Sequence, residues 1–195
     1  MVGHGISGAG IMRVVGGEAK GFPLKAPKTG ETRPTSDKVR EAIFNVVGQE
    51  VVDAEVLDLY AGSGALAIEA LSRGAAHAVL VESHREACSV IRANLEKTGF
   101  ATKATVWTLP VLRALPRLSS QFNLILADPP YAAAEIDEVM AVLGDGSIIA
   151  EEGNVVLEHG KRFDSRATYG KLRRWQMKRY GDTAVSFYVI DGGHV

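Results

Sequence analysis

Asp128-Pro129-Pro130-Tyr131 carries the clearest chemical implication in this sequence. Neither proline has an N–H, and each fixes its own φ, so the backbone there is stiff and free of competing donors. The Asp128 carboxylate and the Pro129 carbonyl read as a rigid pair of acceptors, matched to the two N–H donors of an exocyclic amino group. The lone pair of an aryl amine is delocalised into its ring. Two acceptors aimed at its hydrogens draw the nitrogen towards tetrahedral geometry and stabilise the positive charge that develops as it attacks an electrophile. Tyr131 adds an aromatic face for an unstacked base, a contact worth about 1–3 kcal/mol. A base reached in this way has to leave its stack. An ordinary proline turn is the competing reading.

The second chemical stretch is Leu57-Asp58-Leu59-Tyr60-Ala61-Gly62-Ser63-Gly64, between a short apolar run and a helical segment. Glycines at such a turn let the backbone approach a ligand, and the helix behind them presents unpaired N–H groups. Glu82 stands 20 residues beyond Gly62, at the end of the next apolar run, where a carboxylate can accept both hydroxyls of an adenosine ribose. Two cofactors fit this outline, because Gly62-Ser63-Gly64-Ala65-Leu66-Ala67 also satisfies the dinucleotide pattern G-x-G-x-x-A. Asp58 weighs against the dinucleotide, since a carboxylate repels a pyrophosphate and attracts the ammonium and sulfonium of S-adenosyl-L-methionine. For Asp58 the alternative is a cap on the loop backbone, and for Glu82 a solvated strand end.

The elements that must hold these residues alternate along the chain. Apolar runs at 56–59, 78–81, 104–107, 122–127 and 155–158 are separated by helical segments at 65–73, 84–98, a weak one ending at 118, and 135–143. Strands alternating with helices predict a mostly parallel sheet covered on both faces, with ligands at the carboxyl ends of the strands. Leu172–Tyr180 and Thr183–Ile190, joined at Gly181-Asp182, predict a C-terminal antiparallel hairpin and bring the sheet to seven strands. Upstream, Met12–Val15 and Lys20–Leu24 around Gly16-Gly17 predict a small hairpin. A loop over 27–35 then leads into a helix capped by Ser36 or Asp37 and ending near Val47. This divides the chain into a disordered lead, expression remnant or early start (1–11), an N-terminal hairpin and helix extension (12–48), and a main α/β domain (49–195).

With these residues in place, the chain resembles the class I amino-methyltransferases. Met12–Gly17, Arg33-Pro34-Thr35, Val39–Asn45 and Arg179-Tyr180-Gly181-Asp182-Thr183 extend the likeness to the bacterial RsmD family, over nearly the whole chain from Met12. The resemblance implies a Rossmann-like fold and methylation of guanine N2 in small-subunit (16S) ribosomal RNA, at rRNA position 966, with S-adenosyl-L-methionine as cofactor and no metal. It further implies that Arg33 and Thr35 border the methionine end of the cofactor. Asp58, Tyr60, Ala61, Gly62, Ser63 and Gly64 would line its loop, Glu82 would take the ribose, and Asp128 to Tyr131 would face the guanine. One departure stands out. Many relatives of the wider class place an Asp after the third strand for the adenine amino group, whereas this chain has Thr108-Leu109-Pro110-Val111, leaving Leu109 as a weak candidate.

A net charge of −1 confines any RNA surface to local patches. The stretch 171–179 is dense in cations, giving Arg173, Arg174, Lys178 and Arg179 as candidate RNA contacts, with Arg13, Lys20, Lys38 and Arg40 from the N-terminal part. A solvated face without a partner is the alternative. A single cysteine, Cys88, excludes a disulfide framework and a cysteine-based zinc site, and the five histidines lack ligand spacing. With no membrane-length apolar run and no signal-like leader, a cytoplasmic enzyme is expected, its rRNA presented within a small-subunit particle. The rivals are a DNA adenine-N6 methyltransferase, for which the chain is short of a DNA-reading domain, and a protein-glutamine methyltransferase, disfavoured by Asp128. An NAD-dependent oxidoreductase and a non-catalytic RNA-binding module are the rivals from other classes.

Overall fold

The computed structural model describes residues 12–28, 36–129 and 133–191. Helix α1 (Asp37–Val47) begins where Ser36 accepts a hydrogen bond from the Val39 N–H, and it ends at Gly48, whose φ is +60. Its buried residues Val39, Arg40, Ile43, Phe44 and Val47 recur at the spacing of one helix face. The main domain then runs β1 (Glu55–Leu59), α2 (Ala65–Ser72), β2 (His77–Glu82), α3 (Arg85–Thr98), β3 (Ala104–Thr108), α4 (Val111–Ala114), β4 (Phe122–Ala127), α5 (Ala133–Leu143) and β5 (Ile149–Gly160). The C-terminal part adds β6 (Thr168–Tyr169), β7 (Leu172–Tyr180) and β8 (Thr183–Ile190).

All eight strands form one sheet in the order β3-β2-β1-β4-β5-β8-β7-β6. The first five are parallel, and the last three pair antiparallel. Alternate strand residues feed two cores. Val56, Leu124, Leu126 and Val156 pack with α1, α2 and α3, while Leu57, Leu59, Ile125, Val155 and Leu157 pack with α4 and α5. Cys88 is buried in α3.

Three expectations changed in detail. The sheet has an eighth strand, β6, too short to leave a periodic signal. The strand expected at 155–158 is twelve residues long, because its polar first half (Glu151-Glu152-Gly153-Asn154) hides a stretch that a register shift against β4 accommodates. The N-terminal hairpin is reduced to one antiparallel bridge, Arg13 to Pro23, and its Val14, Ala19 and Leu24 share the core cluster of α1 and α2.

The C-terminal strands enclose a polar chain whose proton directions are determined. His159 Nδ1 lies 3.0 Å from the Gly160 carbonyl, which can only accept, so Nδ1 carries the proton. His159 Nε2 therefore accepts from Ser186, Ser186 from Ser165, and Ser165 from Arg174. Burial holds the imidazole below its ordinary pKa of 6.5; the Gly160 carbonyl opposes this, and Arg174 and Arg179 reinforce it. A histidine depressed in the folded state binds fewer protons there than when unfolded. Its stabilising contribution is thus present above the unfolded pKa and is lost as pH falls towards the folded one. Urea unfolding is expected to show stability declining below about pH 6.5, and His159→Gln to flatten that decline. The same slope in both proteins would remove His159 as its source.

Candidate active site

From β1 the chain moves outward to β2 and β3, then returns to place β4 on the other side of β1. That reversal opens a crevice at the carboxyl ends of β1 and β4, where open α/β sheets bind ligands. Leu59 and Ala127 are register partners at those ends, and the Asp128 N–H donates to the Leu59 carbonyl at 3.4 Å. The glycine loop and the start of the Asp-Pro-Pro-Tyr motif therefore leave the sheet side by side. Asp128 is half-buried and Pro129 is buried. Pro130 and Tyr131, like Arg33 and Thr35, lie outside the described residues.

Tyr60 leaves β1 with φ +63, and Gly62 and Gly64 follow at +55 and +78. A side chain at Gly64 would press on Leu80 and Ile91 at 3.3 Å. A Cβ at Gly62 would meet only the Tyr60 carbonyl, at 3.8 Å, so that side of the loop is open. Glu82 braces the loop, its Oε2 accepting the Gly62 N–H at 3.0 Å and its Oε1 the His84 N–H at 2.8 Å. Oε2 keeps a lone pair for another donor. Ala61 donates to the Val81 carbonyl, and Ser63 is held through its own carbonyl by Asn94. The Leu109 N–H is taken by the Glu82 carbonyl, so only its carbonyl and half-buried side chain are left for a ligand.

Asp58 is 1% exposed; its Oδ2 accepts the Ala67 N–H at 3.1 Å, capping the first turn of α2, and among the described residues Oδ1 has no hydrogen-bond partner. Burial pushes its carboxyl up to about 8; the Ala67 N–H opposes this, and the charges of Asp128 and Glu82 add to it. Glu82 and Asp128 thus flank an open glycine loop, and beneath it lies the raised Asp58 carboxyl, with one oxygen unpartnered among the described residues, which a cation bound beside it would draw into ionisation. Such a field suits a ligand bearing ammonium and sulfonium groups and disfavours a pyrophosphate. The residues present fit S-adenosyl-L-methionine on these grounds.

Two buried polar residues that sequence reasoning missed tie the N-terminal segment to this loop. Glu69, 0% exposed, accepts from the Val15 and Gly16 N–H groups at 2.7 Å each and from Arg73 at 2.8 Å. Asn94, also 0% exposed, accepts from the Lys25 N–H and donates to the carbonyls of Lys25 and Ser63. Their signal was available: Glu69 is the one charged residue of a helix that is apolar apart from it and Ser72, and Asn94 falls at the apolar spacing of Ala87, Cys88, Ile91 and Leu95.

The RNA candidates divide. Arg13, Lys20, Lys38 and Arg179 are exposed, and Arg173 and Lys178 are half-buried. Register places Arg174, Met177 and Arg179 on one face of β7 and Arg173, Gln176 and Lys178 on the other, so the dense basic run is split. Arg174 is engaged with the Ser165 carbonyl and hydroxyl. Arg40 is a correction: it is 0% exposed, bonded to Asp37 at 2.7 Å and to the Arg13 carbonyl, with Glu69 at 3.6 Å. A guanidinium without exposed surface cannot reach a phosphate. At the opposite end of the sheet, a cavity of about 500 Å³ is lined by Glu50, Asp53, Glu151, Glu152 and Trp175, acids that would repel RNA. Among the described residues no group of His, Cys, Asp and Glu could hold a metal ion, and no helix is long and apolar enough to cross a membrane.

Comparison with known proteins gives consistent matches. The family model described as conserved hypothetical protein 95 matches residues 12–189. Ribosomal RNA small subunit methyltransferase D of Escherichia coli (strain K12) is 38% identical over 152 residues, 78% of this chain and 76% of that protein. The solved structure of yhhF from Escherichia coli superimposes with a TM-score of 0.81 at 33% identity, covering 93% of this chain and 99% of that one. A hypothetical protein of Thermus thermophilus gives 0.80 at 30% identity, covering 92% and 100%.

Proposed function

The chain belongs to the conserved hypothetical protein 95 family, the RsmD family of S-adenosyl-L-methionine-dependent methyltransferases, and from that premise we propose that it methylates the exocyclic N2 of a guanine in small-subunit (16S) rRNA. The observation that carries this reading is the adjacency of two walls: an acid-flanked glycine loop after β1 and Asp128-Pro129 after β4, linked at Leu59. S-adenosyl-L-methionine supplies the electrophilic methyl group when bound. Glu82 is the residue for the ribose hydroxyls. Glu82 and Asp128 supply the field for the cationic end, which in turn favours ionisation of the raised Asp58 carboxyl, and the backbone of Tyr60, with Ala61, Gly62, Ser63 and Gly64, lines the loop. Arg33, Thr35 and Leu109 complete the cofactor set.

Asp128 and the Pro129 carbonyl hold the two amine hydrogens, so that the nitrogen lone pair leaves conjugation and faces the methyl group. The new N–C bond would form as the methyl–sulfur bond breaks, its electron pair staying on sulfur as a neutral thioether; one amine proton is lost, and the Asp128 carboxylate is the group placed to receive it. Pro130 keeps the turn stiff, and Tyr131 stacks on the extruded base. Arg13, Lys20, Lys38, Arg173, Lys178 and Arg179 supply the phosphate contacts. Their small number fits a substrate presented by a ribosomal particle rather than long stretches of bare RNA.

Labelled methyl transfer to 16S rRNA from cells lacking the enzyme, followed by nucleoside analysis, tests the reading. Label is expected in N2-methylguanosine at position 966, with greater yield from a protein-bound particle than from naked RNA. Label in N6-methyladenosine would replace the base assignment, and equal yields would remove the particle.

A further inference from the structure

A side-chain hydrogen bond crosses from the glycine-loop wall to the wall that carries the amine acceptors. The Tyr60 hydroxyl donates to Glu135 Oε1 at 2.7 Å. Tyr60 directly follows the last residue of β1, and its φ of +63 is a left-handed conformation that bulky side chains rarely take and that persists only where the surroundings over-determine it. The surroundings do so here. The Leu59 carbonyl before it accepts from Asp128, and the Ala61 and Gly62 N–H groups after it donate to Val81 and Glu82. Glu135 lies in the first turn of α5, the helix that follows Asp128-Pro129 in the chain. Burial and the Glu135 carboxylate both raise the phenol pKa, so Tyr60 stays a donor throughout the working pH range.

We propose that Tyr60 and Glu135 are a positioning pair, whose hydrogen bond fixes the spacing between the cofactor loop and the amine acceptors and so governs turnover without setting cofactor affinity. The inference rests on the amine-methylation reading. Its mechanism is geometric. A methyl transfer needs donor and acceptor atoms in line at near-contact distance, and each wall of this crevice hangs from a different strand end. The main-chain bond between Asp128 and Leu59 holds the walls together at the sheet, and the Tyr60–Glu135 bond holds them farther along the chain.

The test uses Tyr60→Phe, Glu135→Ala, Glu135→Gln and the double variant Tyr60→Phe/Glu135→Ala in the full chain. The readouts are kcat on 16S rRNA and calorimetric Kd for S-adenosyl-L-methionine. Tyr60→Phe and Glu135→Ala are each expected to lower kcat about tenfold, with Kd changed less than about twofold. The double variant should be no worse than either single one, because both remove the same bond. Glu135→Gln keeps an acceptor oxygen and should retain most of the turnover. Additive losses, an unchanged kcat, or a Kd that weakens in step with kcat would overturn the pair, the last making the Tyr60 hydroxyl itself a cofactor contact. A wild-type chain that transfers no methyl group defeats the functional reading instead. The pair is then read by amide hydrogen exchange over Tyr60–Gly64, expected to quicken equally in both single variants and the double, and overturned by exchange that does not change.

Discussion

Asp128→Ala is expected to lower kcat for methyl transfer by about 10²- to 10³-fold while leaving the Kd for S-adenosyl-L-methionine within a few-fold of wild type, the range seen when one preorganised group at a developing charge is removed. The carboxylate's largest effect comes as the amine takes on positive charge, so its loss falls mainly on the transition state, while Glu82 and the glycine loop still hold the cofactor. The backbone should tolerate the change. The Asp128 N–H to Leu59 bond does not involve the side chain, and Pro129 keeps its fixed φ. Asp128→Asn retains one acceptor oxygen but loses the charge, and should fall between the two. Asp128 also contributes to the raised carboxyl of Asp58, so its removal eases the crowding of negative charge beneath the loop. Kinetics beside calorimetry decide the matter, since an equal fall in turnover and cofactor affinity would make Asp128 a structural residue.

Glu69→Ala is expected to produce the largest loss of stability, about 3–5 kcal/mol, because it takes a buried carboxylate away from a buried guanidinium and from two backbone N–H groups at once. Arg40 has no exposed surface and lies 3.6 Å from Glu69, while the Val15 and Gly16 N–H groups lose their acceptors together. Asp37 and the Arg13 carbonyl still hold Arg40, which places the effect at the lower end of that range. Glu69→Gln keeps the shape and one acceptor oxygen and should cost less. Urea unfolding measures the loss, and limited proteolysis within 12–28 shows whether the segment has come away from α2. An alanine variant as stable as wild type would mean that the segment is held by Val14, Ala19 and Leu24 alone.

The sequence by itself determined the parallel α/β order, the two loops that flank the crevice and the type of chemistry they suit. These are local properties: apolar periodicity defines the strands and helices, glycine marks positive φ, and proline removes donors, all within a few residues. It also placed α1 and its cap, the tight turn at Gly181-Asp182, and Asp58 as either cofactor acid or cap, the second of which the Ala67 bond supports directly. Tertiary structure alone decided which charges are spent inside the fold. Arg40 looked like a surface cation because its neighbours in sequence include Lys38 and Glu41; burial by a segment some 27 residues away and by Glu69 on another helix makes it a structural ion. Strand alternation by itself divides Arg173, Arg174, Lys178 and Arg179 between two faces, but which of them share a face is set by a bulge that only pairing with β8 reveals: Arg173 goes with Lys178, and Arg174 with Arg179. The same holds for Tyr60 meeting Glu135 and for Asn94 meeting Lys25 and Ser63. A charge or a hydroxyl carries no sequence signal of its partner, since the free energy of leaving it unpaired depends on burial that distant segments create.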